Sequence, residues 1–356
     1  MNILIYGAGV LGSRYAMALT QAGHQVTLLA RGQRLEQLRQ HGVVLQEIGS
    51  EEMDTASLPV IDHLDVDTAF DLVLVMLRAN HVSDVLPALA ANQHTPNVLF
   101  LGNNIDGSDA LVKALGAERV LMGFAGAGGL REGHIVRYMR SRRGATYVGE
   151  LDGSLTERLQ RIVEAFEDTP FPVKIVSNIE AWLKCHVALV SPMAYALYMS
   201  GGDNHRLART RDALVLMLRA IREGLKAMRQ QGMPILPPVL GLIVYLPEPL
   251  LVPLLRMGMN SRRAEVNIAG HANAARDEMR FLADGLWKLV QESQVAAPSL
   301  KCLYAYANPK QPPISEGSQR IAMDWKGIWV GLGMLAGSIT LITFLKKKLF
   351  PSRKQQ

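Results

Sequence analysis

Gly7-Ala8-Gly9-Val10-Leu11-Gly12 is the first group of residues whose types and spacing suit a defined chemistry. This G-x-G-x-x-G follows a short apolar run, Asn2–Tyr6, and precedes an Ala/Leu-rich segment that ends near Ala22, so it reads as the turn between a strand and a helix. There Gly7 permits the tight turn, Gly9 lets the backbone approach a pyrophosphate, and Gly12 allows close helix–strand packing. The first-turn N–H groups at Val10 and Leu11, aided by the helix dipole, favour phosphate oxygens. A second β-branched run, Gln25–Ala30, ends in Arg31-Gly32-Gln33-Arg34 with no acid before Glu36. A carboxylate at that place would bind ribose hydroxyls, whereas a guanidinium binds a 2′-phosphate bidentately. The pattern predicts a dinucleotide site, with Arg31 selecting NADP(H).

These residues need a scaffold, and the chain is long enough to supply one. Its 356 residues are 49% apolar and 20% charged, ample for a buried core and for two domains. Leu72–Met76, Val98–Leu101 and Val120–Phe124 are continuous apolar runs of strand length, as expected of strands buried on both faces of a parallel sheet. Thr146–Glu150 and Pro172–Val176 read as further strands flanking an amphipathic helix, Leu155–Phe166. From Asn178 the pattern turns helical, over Ile179–Met199, Arg209–Gln230 and Ala264–Glu292, and the boundary falls near residue 177. The expected class is α/β: a Rossmann domain over 1–177 and a helical domain over 178–305. Between helices, Pro234–Pro253 carries six prolines and reads as an apolar connector, with a pocket wall or a membrane-resting segment as alternatives.

Charge is unevenly placed. The net +6 resides entirely from Arg320 onward, and residues 1–319 hold thirty-one basic and thirty-one acidic side chains. The body therefore has no surplus to neutralise phosphates, which argues against a nucleic-acid partner. Two cysteines, Cys185 and Cys302, make neither a disulfide framework nor a metal pair, and no His/Cys/Asp cluster has ligand spacing, so no metal is expected. The N-terminus lacks the basic start of a secretory signal. After a Pro/Ser/Gly-rich linker (306–326), residues 327–345 are nineteen without a charge, long enough as a helix to span most of a bilayer core. Trp325 and Trp329 precede or open it and Lys346–Lys348 close it, as interfacial anchors do. A transmembrane helix is expected there, followed by a basic tail (346–356). The pairs Gly327/Gly331 and Gly333/Gly337 would let two copies approach as a homodimer. Five basic residues behind the span favour a cytoplasmic C-terminus, but a body without a signal that needs NADPH is expected in the cytoplasm.

Six segments in order resemble the ketopantoate reductase (2-dehydropantoate 2-reductase) family over most of residues 1–305. They are MNILIYGAGVLGSRYAMALTQAGHQVTLLARG at the start; Leu72–Arg78, with Arg78 where the family has a lysine; and Phe100-Leu101-Gly102-Asn103-Asn104 for its Gln-Asn-Gly. GFAGAGGLREGHIVRY (123–138), Trp182-Leu183-Lys184, and Arg263-Ala264-Glu265-Val266-Asn267-Ile268-Ala269-Gly270 complete the set. The resemblance implies NADPH-dependent reduction of a 2-oxo acid, a step of pantothenate biosynthesis. It places Arg78 on the cofactor, Asn103 between cofactor and substrate, Lys184 as general acid and Glu265 on a substrate hydroxyl. By residue type alone Lys184 would read as a surface lysine and Glu265 as a salt-bridge partner of Arg262 or Arg263. The family's two asparagines after its lysine are replaced by Ala188 and Pro192, and its Pro-x-Asn by Pro298-Ser299-Leu300, so the substrate is expected to differ. His186 reads as a packed helix histidine. Two alternatives stand beside the reductase: a membrane-tethered NADPH-binding protein without catalysis, and an opine- or hydroxyacid-type dehydrogenase.

Overall fold

The computed structural model describes residues 1–139 and 144–326. Twelve strands form: β1 (Asn2–Tyr6), β2 (Gln25–Leu29), β3 (Val43–Glu47), β4 (Met53–Ala56), β5 (Val60–Ile61), β6 (Leu72–Val75), β7 (Val98–Leu101), β8 (Val120–Ala125), β9 (Leu130–Glu132), β10 (Ile135–Tyr138), β11 (Thr146–Gly149) and β12 (Val173–Ile175). Eight make one sheet in the order β12-β11-β8-β7-β6-β1-β2-β5. Its central pairs β8/β7, β7/β6, β6/β1 and β1/β2 are all parallel. The apolar runs that suggested two-sided burial occupy these positions, and every residue of β6 and β7 is buried. The architecture is the expected α/β one, a Rossmann-like sheet followed by helices.

The second sheet, β4-β3-β10-β9, has no counterpart in the sequence expectations. It joins β3 in parallel to β10 across ninety residues of chain. Its edge strands β4 and β9 are short and largely exposed, so they lack the continuous apolar signature of the main sheet.

The helical part begins with Ile179–Met199, which packs against Arg211–Gln230 and Arg276–Glu292 around a core that includes Val187, Leu214, Leu225 and Leu286. The expected helix Ala264–Glu292 is broken. Arg262–Ala264 passes into a π turn, Glu265–Ala269, then Gly270–Ala274, and Ala275 leaves helical geometry before Arg276–Glu292 begins. A π turn adds a residue to the turn and rotates everything after it. That rotation decides which side chains enter the site.

Two tertiary anchors lie beyond what the sequence conveys. The segment read as a linker packs down as a strap: the buried Asp212 carboxylate accepts from Ser318 Oγ and from the backbone N–H groups of Arg320 and Ile321. A short polar stretch carries no hydropathy signal for such docking, because backbone N–H groups do the binding. The Pro-rich connector forms helices Leu240–Ile243 and Glu248–Met259, and Glu248 is buried on Arg219 Nε at 2.7 Å. Among the described residues no helix is long and apolar enough to cross a membrane. The expected span 327–345 and the basic tail lie outside the described residues.

A buried carboxylate that loses its cation, or a cation that loses its carboxylate, is left uncompensated. Glu248→Ala should therefore lower stability by about 3 kcal/mol, the low end of the range because Arg219 keeps partial solvent access. The urea midpoint should fall accordingly, whereas Glu316→Ala, on the exposed Arg209–Glu316 pair, should change the stability read from it by less than about 1 kcal/mol.

Candidate active site

A cleft of about 1300 Å³ opens where the parallel strands end. Its floor comes from the C-terminal ends of β1, β2, β6, β7 and β8 and the residues just beyond, where ligands bind in open α/β sheets. Its far wall comes from helix Ile179–Met199 and from the broken helix, through Asn267, Ile268, Gly270, His271, Ala274, Glu278 and Met279. The volume exceeds that of an ordinary small-molecule pocket and suits a dinucleotide with a small substrate.

The glycine loop forms the first edge. Gly7 has φ +113°, and a Cβ there would meet the Met76 carbonyl oxygen at 2.7 Å. Gly12 does not line the cleft; a Cβ on it would lie 1.9 Å from the Gly7 carbonyl oxygen, so its role is to let helix Val10–Gln21 seat against the loop. Gly9 is different. Nothing lies within 4 Å of its Cβ position, no side chain caps the helix it opens, and Gly7, Gly9, Val10 and Leu11 all face the cleft. Open space beside uncapped first-turn N–H groups is a cradle for a phosphate, and these residues fit a dinucleotide.

At the end of β2, Arg31 faces the cleft and donates to Tyr6 Oη at 3.0 Å. Sequence reasoning missed its two companions. Arg34 is buried and donates to Ala8 O, Ser13 Oγ and His134 O, tying the glycine loop to the turn between β9 and β10. Burial and the nearby Arg131 charge push its guanidinium down to about 10, still charged at neutral pH. Arg131 reaches the same rim from β9. Its signal was tertiary, since the second sheet brings β9 to the β2 end.

Arg78 lines the cleft but is committed elsewhere: it donates to Asp277 Oδ1 at 2.8 Å and to the Ala274 carbonyl at 2.7 Å. It clamps the end of β6 onto the helical part. Asn103 sits past β7, and its Nδ2 donates to Glu278 Oε1 at 3.0 Å. Its Oδ1 is buried with no partner among the described residues, and the residue borders the cleft.

Lys184 and Glu265 are not among the residues lining this cleft. Lys184 Nζ is paired with Glu180 Oε1 at 2.8 Å, one turn back on its own helix. At 100° per residue the cleft-facing residues His186, Leu189, Val190 and Met193 share one face, and Lys184 lies on the opposite one. Glu265, in the π turn, is exposed and 4.0 Å from His205. Ala188 is fully buried with Gly224 behind it, and Pro192 is buried, so neither stands where an asparagine would meet a ligand. The cleft instead receives Glu278, 2% exposed, which also accepts from Ala79 N at 3.2 Å. His271 Nε2 lies 3.5 Å from Glu278 Oε2. His186 is stacked on Trp182, tilted against Phe124, and pushed down to about 4 by burial and the neighbouring His271, so it is neutral. Asp277-Glu278-Met279-Arg280 with Gly285 offered the same acid-before-glycine order as Glu265…Gly270, one helix later, and was the available signal.

Comparison with known proteins fits this geometry. Residues 3–153 match the family model "Ketopantoate reductase PanE/ApbA". A 2-dehydropantoate 2-reductase of Pyrococcus horikoshii is 25% identical over 239 residues, 65% of this chain and 75% of that one. The chain is thus similar to ketopantoate reductases, most directly over its N-terminal part. Two solved structures share the fold at 18% identity. One is 2-dehydropantoate 2-reductase from Geobacter metallireducens (TM-score 0.71, covering 87% of this chain and all of that one). The other is D-mandelate dehydrogenase with NADH and anilino(oxo)acetate (TM-score 0.70, 86% and 97%). Among the described residues no group of three or more His, Cys, Asp or Glu side chains is placed to hold a metal ion.

The two glycines separate packing from binding. Gly12→Ala should destabilise the fold by about 1–3 kcal/mol, seen as an early thermal transition, because backbone must move. Gly9→Ala should melt with the wild type yet bind NADPH at least tenfold more weakly by fluorescence titration, because its methyl fills the ligand's space.

Proposed function

We propose that the protein is an NADPH-dependent reductase of a 2-oxo acid or related carbonyl. The observation that carries the reading is one cleft lined both by the phosphate-accepting glycine loop and by the Asn103–Glu278 pair. The dinucleotide, when bound, supplies hydride. The chain does the rest: Gly7–Leu11 take the pyrophosphate at the helix N-terminus, Arg31 and Arg131 present cations to a 2′-phosphate, and Arg34 holds the loop beneath them. Asn103, fixed through its amide nitrogen on Glu278, borders the cleft where substrate and nicotinamide would meet. Leu189, Val190, Met193 and Ile268 make an apolar wall that excludes water from the carbonyl.

The roles that family resemblance gives to Lys184 and Glu265 would need both side chains to leave their present partners. Arg78 supports the cofactor site indirectly, by holding β6 to the helices. The domain division at residue 177 rests on the last strand ending at Ile175 and the first long helix starting at Ile179. Membrane attachment through 327–345, with a cytoplasmic body and pairing of copies through the glycines, is supported by sequence alone.

Loss of NADPH absorbance with a panel of 2-oxo acids, ketopantoate included, tests the reading. Turnover of at least one is expected, and NADPH binding without any turnover would leave a cofactor-binding module. A charge-assisted phosphate contact contributes about 1.5–3 kcal/mol, or roughly ten- to hundredfold in affinity. Arg31→Ala should raise the NADPH/NADH ratio of dissociation constants by that factor, and an unchanged ratio would assign the preference to Arg131.

A further inference from the structure

Exposed apolar residues are not spread evenly over the molecule. Among the described residues ten large apolar side chains are exposed, and six of them belong to two stretches: Val239, Leu242, Tyr245, Leu254 and Met257 of the Pro-rich connector, and Trp325 of the strap. Helix Glu248–Met259 shows how such a face arises. Its only charged residues are Glu248 and Arg256. At 100° per residue Glu248, Val252 and Met259 fall on one side, and all three are buried. Leu250, Pro253, Leu254 and Met257 fall within about 100° of arc on the other side. Leu254 is 57% exposed and Met257 70%. A helix apolar all round is ordinarily covered all round, so this face lacks its cover.

The strap shows what lies beside it. Asp324 N donates to Glu248 Oε2 at 2.8 Å, and Arg219 holds both Glu248 and the Ala322 carbonyl. The chain is thereby pinned to the first turn of this helix. Only Trp325 and Lys326 separate the pin from the uncharged run 327–345. The three Cα steps from Asp324 to Gly327 reach at most about 11 Å. The polar layer on each side of a bilayer is about 5–8 Å thick. A span that begins at Gly327 therefore brings Glu248 to the headgroup level and leaves the body no slack to stand away. The charges suit that level. Arg256 flanks the apolar face, Arg262 and Arg263 follow the helix, and Lys326 precedes the run; all four are exposed, whereas the acid of the helix is buried.

Resting on the membrane attachment read from 327–345, we propose that the connector is a membrane-docking surface, which lays Leu242, Tyr245, Leu254 and Met257 into the phospholipid interface beside the anchor. The anchor supplies the affinity. The connector fixes the orientation of the body, because a second contact beside the first removes its freedom to swing. Trp325, between the two, has the amphipathic ring that favours the headgroup level.

The test uses the full-length chain in phosphatidylcholine vesicles containing some phosphatidylglycerol, with Cys302→Ser removing the exposed cysteine and Cys185 left buried. A nitrobenzoxadiazole label on Met257→Cys or Leu254→Cys should lose about half its emission when nitroxide-bearing phosphatidylcholine is included, because an interfacial face lies about 5–10 Å into the headgroup boundary. The same label on Asp54→Cys, an exposed position in the second sheet, should keep its emission. Flotation of the same samples reports attachment separately. Chains that float while the labels at 254 and 257 are no more quenched than the one at 54 would overturn the docking and leave the attachment standing. So would Met257→Cys chains that cross-link to one another, which would give the face to a second copy. Chains that do not float would overturn both.

Discussion

Glu278 is a charged group taken almost wholly out of water, and it must find its hydrogen bonds inside the protein. Those it finds come from Ala79 and Asn103, one beyond β6 and the other beyond β7, whereas Glu278 itself sits on the helix Arg276–Glu292. A single desolvation cost is thereby met only when the helical part is seated on the strand ends. Arg78, reaching to Asp277 and Ala274 beside it, repeats the same join at the rim. The cleft exists because the two halves of the chain are held at this distance and no closer. The residues that hold them are also the ones that face its interior.

The opposite end of the cleft is governed by a buried cation. Arg34 spends its donors on the glycine loop, on Ser13 of the helix that follows, and on the β9–β10 turn. The loop carries its glycines because backbone passes within contact of backbone at Gly7 and Gly12, and a loop of that kind has few side chains of its own to hold it. Arg34 supplies the missing support from a distance in sequence. Its charge also adds to those of Arg31 and Arg131 on the same rim.

Between these ends the wall of helix Ile179–Met199 is apolar where a ligand would touch it. Leu189, Val190 and Met193 give shape and dryness but no hydrogen bonds, so polar recognition falls to groups from the strand ends and the broken helix. The polar side chains these elements bring to the cleft include Asn103, His271 and Glu278.

The sequence by itself determined the sheet's central strands, the glycine loop, Arg31 and the position of Asn103. All of these are local: a strand buried on both faces must be continuously apolar, and a phosphate turn needs glycine at fixed spacing. It also conveyed the change from alternating to helical texture near residue 177. It did not convey the second sheet, whose β3 and β10 pair across ninety residues through backbone alone, nor the strap laid on Asp212 by backbone N–H groups. Nor could it settle which acid and which base enter the cleft. Trp182-Leu183-Lys184 and Glu265…Gly270 carry the familiar spacing, but helical phase sends Lys184 to the far face, toward Glu180, and the π turn leaves Glu265 outside. A one-residue change in helical phase turns a side chain by about 100°. That angle is set by how helices pack, and only the tertiary structure decided that His186, His271 and Glu278 would be the ones to line the cleft.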